Sequence, residues 1–205
     1  MKATIPTLSL TKVAEANFPS RFGHFRIFGF EGEYDGETEE AVALLMGDIA
    51  RPDDPALLRI HSQCLTGDVF HSLRCDCRSQ LELSLNLIAE EGRGLIIYEH
   101  QEGRGIGLLN KLRAYELQDQ GLDTVEANER LGFRADLRGY NLPVDILHYF
   151  KVKSVRLLSN NPEKIAALEN AGIEVAERIP CIIAPHESTA GYLRTKKQKM
   201  GHLLD

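Results

Sequence analysis

The chain has 205 residues, 43% of them hydrophobic, enough for one well-buried core and short for two. Lys and Arg number 24 against 30 Asp and Glu, a formal charge of -6 that argues against a surface built mainly to hold long nucleic acid, though not against a small anionic ligand. The N-terminus has no signal-peptide core and nowhere do about eighteen apolar residues run together, so the expected compartment is the cytoplasm, with no membrane partner.

In chain order, a polar leader to about residue 20 precedes Arg21–Phe28, whose alternation of polar and apolar residues predicts a half-buried strand. Tyr34-Asp35-Gly36-Glu37 is a turn signal, and Ala41–Met46 predicts the returning antiparallel strand. Leu57–His61 reads as another strand, followed by a bend at Thr66-Gly67-Asp68 and a helix from about Gln80 to Glu91 that Gly92 ends. Leu95–Tyr98 is an apolar strand running into a Gly-rich bend and then a helix from about Ile106 to Gln120. Short helices are predicted at Val125–Leu131 and Val144–Phe150, and a buried strand at Ser154–Leu158. Asn161 then caps a helix whose first residue is Pro162 and which Gly172 ends, before a strand at Ile173–Ala176 and a basic tail at Arg194–Lys199. The expected fold is one α/β domain over residues 1–205, a mixed β-sheet flanked by helices. Antiparallel N-terminal strands precede α/β units, and residues 1–20 and about 186–205 are peripheral.

Three of the four cysteines, Cys64, Cys75 and Cys77, have the spacing C-x10-C-x-C, which in a reducing compartment points to metal rather than disulfides. Soft thiolates select zinc over magnesium or calcium. Three protein ligands leave a position for water and make a catalytic site, whereas completion by His61 or His71 would make a structural one. The polar residues Arg74, Asp76 and Arg78 around the pair weigh against metal-free buried cysteines. A second constellation, His100-Gln101-Glu102-Gly103-Arg104-Gly105-Ile106-Gly107, lies between a strand and a helix, where glycines let the backbone approach a phosphate. Its spacing, G-x-G-x-G, is not the dinucleotide fingerprint, and a plain tight turn would leave Glu102 and Arg104 without a reason to flank the glycines. A carboxylate and a guanidinium at one loop suit a purine edge and a phosphate. Asp136 and Arg138, two apart in an extended segment, face one side and can converge on one atom, although a surface ion pair gives the same pattern. Ser159 and Lys164 flank a strand end and a helix start, the edge where α/β sheets gather ligands, and Asn161 and Pro162 there need only the capping explanation.

Together Arg59–Asp68, Cys75-Asp76-Cys77, Gln101–Leu108, Asp123–Asn128 and Leu158–Pro162 resemble GTP cyclohydrolase II of riboflavin biosynthesis, over about residues 20–202 in unbroken order. The resemblance implies a hydrolase that opens the imidazole ring of GTP, releases formate and pyrophosphate, and leaves a diaminopyrimidinone ribosylamine phosphate. It implies one zinc per subunit on Cys64, Cys75 and Cys77, whose water attacks the ring carbon, with Asp136 as general base and Arg138 as nucleophile toward the α-phosphorus. Arg59, Ile60, His61, Ser62, Gln63, Gln80, Glu102, Gly103, Arg104, Thr124, Ser159 and Lys164 would bind GTP, and Tyr115 would stand near the purine as a further catalytic residue. Magnesium is implied on the triphosphate, and a homodimer as the assembly. The short N-terminal segment leads us to expect a monofunctional protein without a dihydroxybutanone phosphate synthase domain ahead of it.

The sequence departs from the family pattern at four places. Arg78-Ser79 follows Cys77 in place of Gly, Ser159 replaces Thr, bulkier residues fill 139–145, and Lys151 stands for Gly. These leave two other readings open: a relative with partial turnover or another nucleotide, and a zinc-stabilised interaction module without catalysis.

Overall fold

A computed structural model describes residues 10–34, 36–51, 53–183 and 190–204, with only the backbone at 190–193 and 200. One seven-stranded mixed sheet runs in the order β1-β2-β3-β5-β4-β6-β7. Its strands are β1 (Thr11–Ser20), β2 (Gly23–Tyr34), β3 (Glu37–Met46), β4 (Ala56–Ser62), β5 (Gly94–Glu99), β6 (Ser154–Leu158) and β7 (Glu174–Ile179). β1, β2, β3 and β5 pair antiparallel in that order, while β5, β4, β6 and β7 pair parallel. The helices are α1 (Leu65–Asp68), α2 (Cys77–Glu91), α3 (Leu108–Asp119), α4 (Thr124–Arg130), α5 (Asn141–Tyr149), α6 (Pro162–Asn170) and α7 (Ala190–Met200), with a 3-10 turn at Glu102–Gly105.

The expected α/β architecture with an antiparallel start is the one found. Three segments differ from expectation. The leader is in part a ten-residue edge strand, β1, paired to β2 along its length; residues 1–9 and 184–189, and Asp35 of the predicted turn, lie outside the described residues. The bend at Thr66-Gly67-Asp68 is a single helical turn, α1. The tail is a helix whose Thr195 and Lys196 are buried, so it belongs to the body of the fold.

Period-two alternation divides the core. Leu58 and Ile60 of β4 and Leu95 and Ile97 of β5 face a cluster with Phe28, Phe30, Leu142, Ile146, Leu147 and Leu168, which brings α5 and α6 to that side. Leu57 and Ile96 face the opposite cluster, where Leu85 and Ile88 dock α2. Cys181, read as a small buried apolar residue, lies in this second cluster, fully buried. From β4 the chain crosses to β5 on one side and then returns past β4 to β6 on the other. A sheet that winds both ways from a central strand leaves a crevice beyond the carboxyl ends of its strands. Here the loops after Ser62, Glu99 and Leu158 meet at that crevice.

Candidate functional site

The carboxyl ends of β4, β5 and β6 open onto a cleft of about 770 Å³. At one end stand the three cysteines, their Sγ atoms all within 4.8 Å of one another and Cys64 to Cys75 at 3.6 Å. Tetrahedral thiolates about 2.3 Å from a zinc ion would sit about 3.8 Å apart, so the spacing fits. The loop geometry makes room for this: a Cβ on Gly67 would lie 2.8 Å from Cys75 Sγ and 3.1 Å from Cys64 Sγ. Crowding also sets the protonation. Hydrogen bonds from Cys75 and Cys77, and secondarily Lys111, hold the Cys64 thiol well below the ordinary range. The same sharing pushes Cys75 up to about 11 and raises Cys77 well above its usual value. Three sulfurs this close ionise together only around a cation, which is the chemistry of a metal site.

Neither histidine completes the set. His61 Nε2 lies 3.2 Å from both carboxylate oxygens of Asp68, and its ring stacks on Tyr98 with centroids 5.4 Å apart. Burial lowers its pKa, so the imidazole is neutral. His71 is outside the cysteine group, and among the described residues no other His, Asp or Glu joins that group. The trio therefore has the three-ligand form of an open site rather than the closed four-ligand form.

Around the sulfurs, Glu102 acts as a bolt. Its Oε2 accepts from Leu65 N at 2.7 Å, and its Oε1 accepts from Gly103 N at 2.9 Å and Lys111 Nζ at 2.8 Å. Lys111 Nζ also reaches Cys64 Sγ at 3.1 Å. The carboxylate read in the sequence as facing a purine edge thus spends most of its acceptor capacity fixing the thiolate loop to the Gly-rich turn. Lys111 is a site residue that the sequence reading did not single out; the signal was its place one turn before Tyr115 on α3. Tyr115 OH meets Thr66 Oγ1 at 3.1 Å, beside the sulfurs, and Arg74 lies 4.8 Å over its ring. Arg104 adopts a left-handed backbone at φ 63, and Gly105 passes so close to Leu137 that a Cβ would meet that residue's Cβ at 3.0 Å. Strain of this kind persists where the surroundings hold a side chain in place.

At the other end the groups are cationic. Arg59 Nη2 donates to Gln80 Oε1 at 2.7 Å and Nη1 to the Leu158 carbonyl at 2.9 Å. Gln80 in turn donates to Asp76. Arg138 and Asp136 form a two-point ion pair, Nε to Oδ1 at 2.9 Å and Nη2 to Oδ2 at 2.5 Å. Despite burial, this pairing raises the pKa of Arg138 and lowers that of Asp136, so both are charged. Lys164 is buried with Nζ on the Ile60 carbonyl at 2.8 Å, and burial, then Arg138 and Arg59, lowers its pKa. Strand alternation turns the Ile60 side chain into the core toward α5 and α6, while its carbonyl accepts from Lys164. Ser62, Gln63, Gly103, Thr124 and Ser159 line the cleft.

Glu99, at the end of β5, escaped the sequence reading. It is 1% exposed, and among the described residues its Oε1 has no hydrogen-bond partner and its Oε2 accepts from Ser62 Oγ at 3.3 Å. Burial, against the pull of Lys164 and Arg138, pushes its carboxyl up to about 7. Inside an apolar strand run, Glu99 reads in the sequence as the edge residue of a strand. Arg78 is the reverse case, conspicuous in sequence and turned aside in the structure. It donates to the Asp68 carbonyl at 2.7 Å and pairs with Glu82 at 2.8 Å, bracing α1 against α2.

The family model for GTP cyclohydrolase II matches residues 11–180. The chain belongs to the GTP cyclohydrolase II family. It is 52% identical over 94% of its length to a "GTP cyclohydrolase-2" of Haemophilus influenzae strain PittGG, covering 88% of that protein. It is 53% identical over 94% of its length to one of Buchnera aphidicola subsp. Acyrthosiphon pisum, covering 97%. With the "Riboflavin biosynthesis protein RibBA" of Bacillus subtilis the identity is 51% over 97% of this chain but 49% of that longer one. Against a two-domain dihydroxybutanone phosphate synthase from A. baumannii the TM-score is 0.45 at 14% identity, over 85% of this chain and 40% of that one. As a GTP cyclohydrolase II family member, the chain has no helix among its described residues long and apolar enough to cross a membrane.

Proposed function

We propose that the cleft takes GTP as its substrate, opens the imidazole ring and releases formate and pyrophosphate, as the first step of riboflavin biosynthesis. The observation that carries this reading is the meeting of a thiolate trio and a cationic group at one cleft. The sulfurs suit a zinc ion beside the purine ring, and the cations suit a triphosphate. Zinc on Cys64, Cys75 and Cys77 would supply Lewis acidity and lower the pKa of water to about 7. The protein's own groups do the rest. Arg59, Gln80, Gly103, Arg104, Thr124, Ser159 and Lys164 bind and orient the nucleotide, with Ser62 and Gln63 at the rim and Glu102 acting mainly through the loop it fixes. Tyr115, kept as a neutral phenol by burial, presents an O–H beside the reacting ring.

Asp136 as base and Arg138 as nucleophile form a linked pair in which a proton already bridges Nη2 and Oδ2. In the free protein the pair favours guanidinium, so Arg138 first meets the α-phosphate as a cation. Attack requires the proton to pass to Asp136 as the nitrogen–phosphorus bond forms and the bond from the α-phosphorus to the pyrophosphate oxygen breaks; pyrophosphate leaves, and water then cleaves the nitrogen–phosphorus bond to restore Arg138. Magnesium travels with the triphosphate and keeps most of its waters, so it asks for few protein ligands. The enzyme works as a cytoplasmic homodimer in this reading. The partial-turnover reading loses one motive, since Arg78 turns away from the sulfurs.

The test is direct: zinc-loaded protein incubated with GTP and magnesium is assayed for formate and pyrophosphate. Intact GTP after long incubation would end the proposal, and a formyl-retaining pyrimidine as sole product would favour the partial-turnover relative.

A further inference from the structure

The C-terminal segment reads in sequence as a peripheral basic tail, yet two ties to the body of the fold and one bond within the tail hold it at the cleft. Lys196 Nζ pairs with Asp76 Oδ1 at 3.1 Å, between two metal-site cysteines and on the carboxylate that also receives Gln80. His202 N donates to the Lys196 carbonyl at 3.1 Å, which folds the chain back on α7. Leu203 N donates to the Asn160 carbonyl at 2.9 Å, and Asn160 follows the Ser159 of the cleft wall. Lys196 and His202 accordingly line the same cleft as Arg104, Arg138 and Lys164.

These groups come from four separate parts of the chain: the Gly-rich turn, the segment before α5, the start of α6 and the tail. Folding has thus gathered cationic side chains around one cleft, a pattern that suits an anionic ligand. Among the described residues, Asp76 pairs with Lys196 and Asp136 with Arg138. His202 registers this field: burial first, and then Lys196, Arg138, Arg104 and Lys164, push its pKa down to about 3. A neutral imidazole can donate one N–H to a phosphate oxygen, and an ammonium is a compact charge suited to the same group.

We propose that Lys196 and His202 belong to the nucleotide site and complete, with Arg104, Arg138 and Lys164, a pocket for the polyphosphate chain of the substrate. This rests on the GTP reading above, and it turns the tail from an appendage into a wall of the site. The tie through Asp76 and Gln80 to Arg59 places this wall beside β4, the strand that carries Arg59.

The test uses the full zinc-loaded chain, with inorganic tripolyphosphate and guanosine as separate probes in titration calorimetry. Lys196→Gln and His202→Gln are compared with wild type, and Lys153→Gln, which removes the same charge at the far end of β6, is the control. Each tail variant is expected to weaken tripolyphosphate binding about tenfold, the scale of one charge-assisted hydrogen bond, with guanosine affinity and the control unchanged. His202→Gln leaves the Lys196–Asp76 pair in place, so its loss of affinity reports on the anion pocket rather than on detachment of the tail. Wild-type affinity for tripolyphosphate in both tail variants, equal loss of guanosine affinity, or no tripolyphosphate binding by wild type would each overturn the proposal. If the variants lose tripolyphosphate while wild type leaves GTP intact, the GTP reading fails and this one stands. If wild type opens GTP and the variants keep their anion affinity, the reverse holds.

Discussion

Glu99 shows how a single residue at the end of an apolar strand can tie stability to pH. Its carboxyl is neutral in the fold up to about 7, whereas in the unfolded chain it ionises near the ordinary glutamate value of 4.5. Between those values the native state holds more protons than the unfolded one, so the stability owed to this group is full below about 4.5 and lost as pH rises to about 7. Glu99→Gln keeps the shape and the Ser62 contact and removes the titration. The urea midpoint of the variant is therefore expected to fall less between pH 5 and pH 8 than that of wild type, by the equivalent of about 3 kcal/mol, and equal slopes would refute the assignment. Gly67 is a second residue with a sharp consequence. A methyl group there would collide with two of the three sulfurs, so Gly67→Ala is expected to bind well under one zinc per chain in metal analysis while still folding. The sulfurs themselves were legible in sequence because their spacing is local. Lys111, Glu99 and His202 were not, because what makes them site residues is a neighbour brought by the fold from 30 or more positions away.

Among the elements, those with an apolar face or an explicit cap were readable and those held by polar ties were not. α6 begins where Asn161 and Pro162 predict, with Asn161 Oδ1 accepting from Glu163 N at 3.0 Å. β1 has no buried face, its burial pattern being exposed at nine of ten positions, so its pairing with β2 left no hydrophobic period to find. Among its described side chains, α7 is anchored by Lys196 to Asp76 and by Lys199 to Asp123. Asp123 also closes a capping box on α4: its Oδ1 accepts from Val125 N at 2.8 Å and Glu126 N at 3.0 Å, while Glu126 reaches back to its N–H. Two substitutions separate these roles. Asp123→Asn keeps the cap and loses the charge facing the exposed Lys199, which surface pairs value at about 0 to 1 kcal/mol. Asp123→Ala loses both and is expected to cost about 1 kcal/mol more, or about 2 to 4 °C in melting temperature for a chain of this length. Equal effects of the two would show that the cap contributes nothing. Lys151, in sequence a substitution for glycine, occupies a left-handed backbone at φ 58. Glycine adopts that backbone without a Cβ penalty.

At the scale of the whole molecule, the sheet and the metal loop are separable units joined at one edge, and this dictates what metal removal does. The core residues of β4 and β5 are buried by α2, α5 and α6, whereas the cysteines lie on the span from Cys64 to Cys77 that leaves β4 and returns only at α2. Without a cation the three sulfurs cannot all ionise, and the loop keeps ties that include Glu102 to Leu65 N, Asp68 to Cys64 N and His61, Tyr98 to Asp68, Thr66 to Tyr115, Arg78 to the Asp68 carbonyl and Arg74 to Asp119. Most of those ties fall on α1, whereas Arg74 and Asp119 form an exposed pair of the weak kind, so the stretch from His71 to Cys75 leans on the metal. The loop in turn holds α7 through Asp76 and Lys196. Chelation is therefore expected to leave far-ultraviolet circular dichroism nearly unchanged while amide exchange accelerates at residues 69–77 and, through Asp76, along 194–203. The slow amides of β4 and β5 should keep their protection, because local opening costs less than unfolding the sheet. Uniform loss of protection across β4 and β5 would mean instead that the metal supports the core. The same coupling runs in the other direction: Lys196→Gln frees Asp76 and should speed exchange at Cys75 and Cys77 in the zinc-loaded protein, an effect that His202→Gln, which leaves that ion pair intact, should not produce.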